Sequence, residues 1–244
     1  LNKAIAAVFK DKKISVLVMM NCWMQMIETG FAFRDTVDIL VAPETTLMFN
    51  AYNYPAIFEK LNENPTEITN EAIAVFCSKS AEKTYSDLKA SFSKVAISAV
   101  RPALAEKIND AVTLFFESLD INNNTVKSNL KKLRNKCTDI SKLGLSRYET
   151  PEYQLYNFID FVNYFNGLND SNLIDDAIYK SILKACDEYV IPKSLVFGKF
   201  FGAERISGFL VFHPTTKKTA EDFQTRFYNS KSPYFCSFAR NSKW

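Results

Sequence analysis

Ile14-Ser15-Val16-Leu17-Val18-Met19-Met20-Asn21-Cys22-Trp23-Met24-Gln25-Met26-Ile27-Glu28 is the stretch on which the fold turns. Ile14 to Met20 is an apolar run too short for a buried helix and rich in branched side chains, which is the pattern of a fully buried strand. Met24 onward is expected to be helical, so Cys22 falls at a strand-to-helix turn. In an α/β sheet the reactive crevice lies beyond the carboxyl ends of the strands, where the next helix presents free N–H groups and a positive dipole end. Both effects favour thiolate over thiol, against the simpler account in which a cysteine only fills core space.

The flanking order is helix (Asn2 to Phe9), strand (Ile14 to Met20), Cys22, helix (Met24 to Thr36) and strand (Val37 to Ala42). The loop Pro43-Glu44-Thr45-Thr46 follows, then an aromatic stretch ending in Tyr54-Pro55-Ala56-Ile57. This arrangement resembles the clostripain family of cysteine peptidases, relatives of caspases and gingipains. Cys22-Trp23-Met24 with Glu28, the Phe33-Arg34-Asp35 helix end and the Leu40-Val41-Ala42-Pro43-Glu44 strand exit carry the likeness, which is dense to about Leu61 and thin afterwards. Gly208-Phe209-Leu210-Val211-Phe212-His213-Pro214 is similar to the family's glycine-strand-proline element. The resemblance implies an α/β fold, a caspase-like three-layer α/β/α sandwich with a mostly parallel central sheet. Residues 1–119 would be the C-terminal part of the catalytic domain with the nucleophile, and residues 120–244 an extension of helices and a hairpin packed on the same sheet.

In the family the nucleophile is the cysteine of an Asp-Ala-Cys triplet, and here the triplet is Met20-Asn21-Cys22. The cysteine carries over and the aspartate that lines the pocket for a basic side chain does not. Burying a guanidinium against Met20 without a carboxylate is strongly unfavourable, so an uncharged residue is expected there unless Glu44 replaces the lost charge. Met20, Asn21, Glu44, Thr45, Met48 and Asn50 are the candidate substrate-binding residues, because loops leaving strand ends collect specificity residues. The alternative for the last four is an aromatic-rich loop packed on the surface.

Composition narrows the rest. A chain of 244 residues buries a sizeable core, and a net charge of +3 with scattered lysines argues against a nucleic-acid footprint. No apolar run approaches membrane-spanning length and no secretory signal is present. The five cysteines are widely spaced, with neither metal-ligand spacing nor a disulfide framework, and Cys77 and Cys186 sit on apolar helical stretches as core residues. Six glycines and no Gly-rich loop make a nucleotide site improbable.

Further along, a helix is expected from about Pro55, another opening at Thr69 or Asn70, a strand over Phe92 to Val100 and a helix over Ala103 to Leu119. Val126 to Ile140 is a basic helix whose charges form a solvated face. Tyr153 to Phe165 is expected as a buried aromatic helix, Ser171 to Tyr189 as an amphipathic helix capped by Ser171, and Val190 to Phe201 with Ile206 to Phe212 as a hairpin.

Cysteine acyl transfer needs a thiolate, an imidazole to protonate the leaving amine, and N–H donors for the oxyanion. His213 is the one histidine, but it matches a position where the family has an aromatic residue before proline, so it is the weaker candidate for the base. The family is made as inactive precursors cut between the catalytic histidine and the cysteine into two associated chains. The expectation is therefore a cysteine endopeptidase with Cys22 as nucleophile, its base on an N-terminal chain of the same precursor, and that chain covering the surface beside the Ile14 strand. No cofactor is required for the chemistry; calcium and a secreted or envelope location are implied by the resemblance alone. The competing class is a catalytically inactive clostripain-like binding or scaffold protein, and a transferase or amidase on the same fold is a third.

Overall fold

Strand β1 (Ile14–Val18) pairs in parallel with β2 (Val37–Pro43), with Ile14 opposite Val37 and Val18 opposite Val41. These strands belong to a computed structural model that describes residues 1–10, 12–47, 51–87, 95–120, 122–136, 156–198 and 206–214. On its other side β2 pairs antiparallel with β3 (Ala96–Val100), which pairs antiparallel with β5 (Val196–Phe197), giving the order β1-β2-β3-β5. The α/β/α sandwich is as expected, while the sheet is mixed, parallel at β1–β2 and antiparallel at its two other pairings.

The layers follow from the period-2 alternation of the central strand. Leu40 and Ala42 face one layer, packing with Phe31 of α2 (Ile27–Phe33), Ile108 and Phe115 of α5 (Ala105–Ser118), Phe165 of α7 (Phe161–Asp170) and Tyr189 of α8 (Asp176–Tyr189), and Val37, outside that alternation at the start of the strand, belongs to the same cluster. Ile5 of α1 (Asn2–Phe9) joins the same layer. Ile39 and Val41 face the other layer, against Ile57 of α3 (Tyr54–Glu63) and Ile73, Cys77 and Tyr85 of α4 (Asn70–Asp87). Because both faces are covered, β2 is buried except at Asp38 and reads as a near-continuous apolar run. β1 differs: no strand lies on its outer edge among the described residues, Ser15 is exposed and the rest of the strand is half-buried.

One apolar cluster crosses the expected 119/120 boundary, with the Phe115 and Phe165 rings 5.6 Å apart, edge to face. Helix starts are set by side-chain caps. Asn53 Oδ1 accepts from the Ala56 N–H at 3.2 Å, Thr69 Oγ1 from Ala72 at 3.1 Å, and Asp175 Oδ1 from Ala177 at 2.9 Å. Thr69 rather than Asn70 is thus the cap of α4. Asp175 rather than Ser171 starts α8, since the Ser171 N–H closes α7 on the Gly167 carbonyl.

Two further expectations are corrected. The aromatic run is a strand, β4 (Tyr156–Asp160), followed by α7, because Asp160 accepts from the Asn163 N–H at 3.0 Å and caps a helix there; residues 153–155 lie outside the described residues. The hairpin is not formed: β5 joins β3, while β6 (Leu210–Pro214) pairs antiparallel with β4 in a separate two-stranded sheet. The basic helix is α6 (Asn124–Lys136); residues 137–140 and the tail beyond 214 lie outside the described residues.

Candidate active site

The ladder of β1 onto β2 runs past the strand end, with the Met19 N–H on the Val41 carbonyl at 2.9 Å, and the chain then bends through residues 20–23. Helix α2 begins at Ile27 rather than Met24, so its N-terminus does not sit at the sulfur and the expected dipole contribution is withdrawn. The intervening turn lies back along the exit of β2: Trp23 N–H donates to the Thr45 carbonyl at 3.3 Å and Gln25 N–H to the Pro43 carbonyl at 3.0 Å. Trp23 has φ 53°, the left-handed region that a bulky side chain adopts at a cost. Those backbone bonds are what hold it there.

Cys22 is half-buried, and its Sγ accepts from the Leu47 N–H at 3.3 Å. The Tyr52 hydroxyl donates to the Met19 carbonyl at 3.3 Å, bracing the same bend from the α3 side. Burial raises the Tyr52 phenol above its ordinary value, with Cys77 and two neighbouring tyrosines adding to it, so it remains a donor.

Met20, 37% exposed, and Asn21, also exposed, flank Cys22 at the surface. Thr45 and Glu44 are fully buried behind it. Thr45 Oγ1 accepts from the Ala96 N–H at 3.0 Å, which ties the β2 exit to the start of β3. The Glu44 carboxylate makes no hydrogen bond among the described residues, and burial, with the neighbouring Asp160 charge second, raises its pKa well above its ordinary value. Asp160 is raised to about 6 by burial, against the lowering effect of bonds from the Asn163 N–H, the Ser207 hydroxyl and the Ser207 N–H. Met48 and Asn50 lie outside the described residues. His213 lies in β6, its backbone opposite Asn157 in the small sheet, and its side chain is outside the described residues.

Sequence reasoning missed Gln25 and Ser98, both buried beneath the turn. Gln25 Nε2 donates to Ser98 Oγ at 2.7 Å and to the Ser98 carbonyl at 3.1 Å. A lone glutamine in the apolar run Met24 to Ile27 was the available signal.

Among the described residues no three His, Cys, Asp or Glu side chains converge to hold a metal. A cavity of about 590 Å³ between α7, α8 and Ile206–Ser207 and one of about 230 Å³ near Lys60 and Glu67 both lie away from Cys22. No described helix is long and apolar enough to cross a membrane.

The profile of the clostripain family matches residues 1–244. No curated protein sequence matches the chain significantly. Among solved structures the chain is similar to an inactive zymogen C11 protease from Parabacteroides distasonis, with TM-score 0.64 and 16% identity, covering 92% of this chain and 60% of that one. It is also similar to a B. fragilis cysteine protease, with TM-score 0.61 and 13% identity, covering 100% and 94%. A third likeness is to a secreted C11 cysteine protease from Bacteroides thetaiotaomicron in complex with an irreversible peptide inhibitor, with TM-score 0.61 and 13% identity, covering 93% and 60%. The chain thus spans 60% of the length of the Parabacteroides protein, and at these identities the likenesses establish a shared fold. With a family profile matched from residue 1 to residue 244, the chain belongs to the clostripain family.

Proposed function

We propose that this chain is the nucleophile-bearing part of a cysteine endopeptidase. The observation that carries the reading is the Cys22 sulfur, held half-exposed beyond the carboxyl end of β1 by the Leu47 N–H. The Cys22 thiolate attacks the carbonyl carbon of a peptide bond, an imidazolium gives its proton to the leaving amine, and the acyl–sulfur bond is then hydrolysed by water, which the imidazole deprotonates.

That imidazole comes from an N-terminal segment of the same precursor, docked along β1. Three features support this. The outer edge of β1 is unpaired among the described residues. Val8 and Phe9 of the adjacent α1 are 73% and 44% exposed. The described histidine backbone lies in the other sheet. An edge strand beside exposed apolar side chains is a template for another segment.

The side chain preceding the cleaved bond is uncharged, because the position two residues before the nucleophile presents Met20, and the Glu44 carboxylate is sealed inside. A secreted location belongs to the same reading, supported by the secreted relative.

Expression of the full precursor and a panel of fluorogenic peptides tests this. Cleavage that is lost in Cys22→Ala, with uncharged residues preferred, is expected. A clear preference for Arg or Lys would overturn the pocket assignment. No cleavage by a correctly processed wild-type protein would leave a binding or scaffold role.

A further inference from the structure

We propose that Gln25 and Ser98 are positioning residues for the Cys22 nucleophile, an inference that rests on the peptidase reading. The turn that carries the sulfur lies ahead of α2, which starts only at Ile27, and it includes the left-handed Trp23. Such a backbone persists only when its surroundings over-determine it. Gln25 is where that determination converges. Its N–H donates to the Pro43 carbonyl on β2 at 3.0 Å, and its carbonyl accepts from the Leu210 N–H on β6 at 2.8 Å. Its side-chain amide reaches both the hydroxyl and the carbonyl of Ser98 on β3. The Ser98 hydroxyl in turn donates to the Gly208 carbonyl, just ahead of β6.

One residue therefore ties the nucleophile turn to two strands of the main sheet and to the small sheet at once. Gln25 is 1% exposed and Ser98 fully buried, so neither reaches a peptide lying on the surface at Cys22. Their effect is exerted through the backbone between Gln25 and Cys22, and through the place of the sulfur against the Leu47 N–H. Misplacing an attacking atom by about 1 Å costs about a hundredfold in rate, so small relaxations of this turn are expressed in kcat.

The Ser98 hydroxyl needs a donor in Gln25 and an acceptor in Gly208, which makes the chain of bonds directional. A glutamate at position 25 has the same shape but donates at most one hydrogen when protonated and none when ionised, so it cannot serve both Ser98 oxygens.

The experiment uses enzyme produced from the full precursor. Gln25→Ala, Gln25→Glu and Ser98→Ala are compared with Ser194→Ala, which removes the buried hydroxyl that accepts from the Ala99 N–H at 3.0 Å, away from the turn. For Gln25→Ala and Ser98→Ala the expectation is a fall in kcat of about ten- to a hundredfold with KM within twofold. The alkylation rate of Cys22 across pH should change in parallel, with no rescue by Gln25→Glu. Ser194→Ala should lower thermal stability while leaving kcat and the Cys22 alkylation profile as in wild type. If Gln25→Ala does not fold, Ser98→Ala alone decides. Wild-type kcat and an unchanged alkylation profile in Ser98→Ala, with a lower melting temperature only, would overturn the positioning role while leaving the peptidase reading intact. A wild-type enzyme that neither cleaves peptides nor reacts at Cys22 would overturn both.

Discussion

The Leu47 backbone N–H points at the Cys22 sulfur from 3.3 Å, across the gap between the exit of β2 and the end of β1. The Cys22 sulfur is thus located by a residue twenty-five positions away in sequence rather than by the helix that follows it. Cys77 and Cys186 are both buried, and burial pushes the Cys77 thiol up to about 11 and the Cys186 thiol further still.

Of the three described cysteines, Cys22 should therefore be the one modified by iodoacetamide near neutral pH. Peptide mapping after brief labelling checks this, and comparable labelling of Cys77 would contradict it. Cys22→Ser should lower turnover by at least about a thousandfold with the fold retained.

Gly30 is required by its neighbour. A Cβ at that position would lie 1.8 Å from the Tyr189 hydroxyl oxygen and 3.0 Å from Cζ, where α2 crosses α8. Gly30→Ala should destabilise by about 1–3 kcal/mol, or a few degrees in melting temperature. The buried Tyr189 hydroxyl makes no hydrogen bond among the described residues, so Tyr189→Phe should be close to neutral alone and should recover part of the loss in the double variant. Strictly additive changes would show that the clash is absorbed elsewhere.

Stability should fall as pH rises through the weakly acidic range. Asp160, raised by burial to about 6 from 3.8, keeps its proton in the folded chain while the unfolded chain has released it, and Glu44 acts in the same direction from 4.5 upward. The folded state then binds more protons than the unfolded one, so the contribution is present below about pH 4 and lost between about pH 4 and 6 for Asp160, continuing to higher pH for Glu44. Denaturant midpoints at pH 5 and pH 8 measure the loss. Glu44→Gln removes one of the two titrating groups and should flatten the profile; an identical slope in the variant would refute the assignment.

Thr45→Val keeps the side-chain shape but removes the acceptor for the buried Ala96 N–H. Leaving that donor unmade should cost about 1–3 kcal/mol. A lower urea midpoint at unchanged m-value is the expected signature, and a neutral result would mean that another acceptor takes over.

Local signals carried the outline of the molecule. The branched run at Ile14, the Val37 strand, the helix start near Pro55 and the cap at Thr69 or Asn70 were legible because each depends on neighbours within a few residues. The aromatic stretch misled, since Phe158, Phe161 and Phe165 fit a helical spacing as well as a strand that turns into one. Only the cap by Asp160, anchored in turn by Ser207 far along the chain, separates the two. The hairpin failed for a related reason: adjacency in sequence favours pairing, yet β5 and β6 each found a more distant partner.

From its sequence alone this protein is an α/β chain with a cysteine just past the end of an apolar strand, because side-chain period is a local property; that the strand is only half-buried was decided by its unpaired edge among the described residues. What surrounds that cysteine was decided by tertiary structure. Glu44, placed by sequence among pocket residues, is sealed beneath the turn, while Met20 and Asn21 remain at the surface. Leu47, Gln25 and Ser98, which no spacing rule singles out, fix the sulfur and its turn. Hydrogen bonds between segments far apart in the chain leave no period in the sequence, so the geometry of the site emerges only when the strands are brought together.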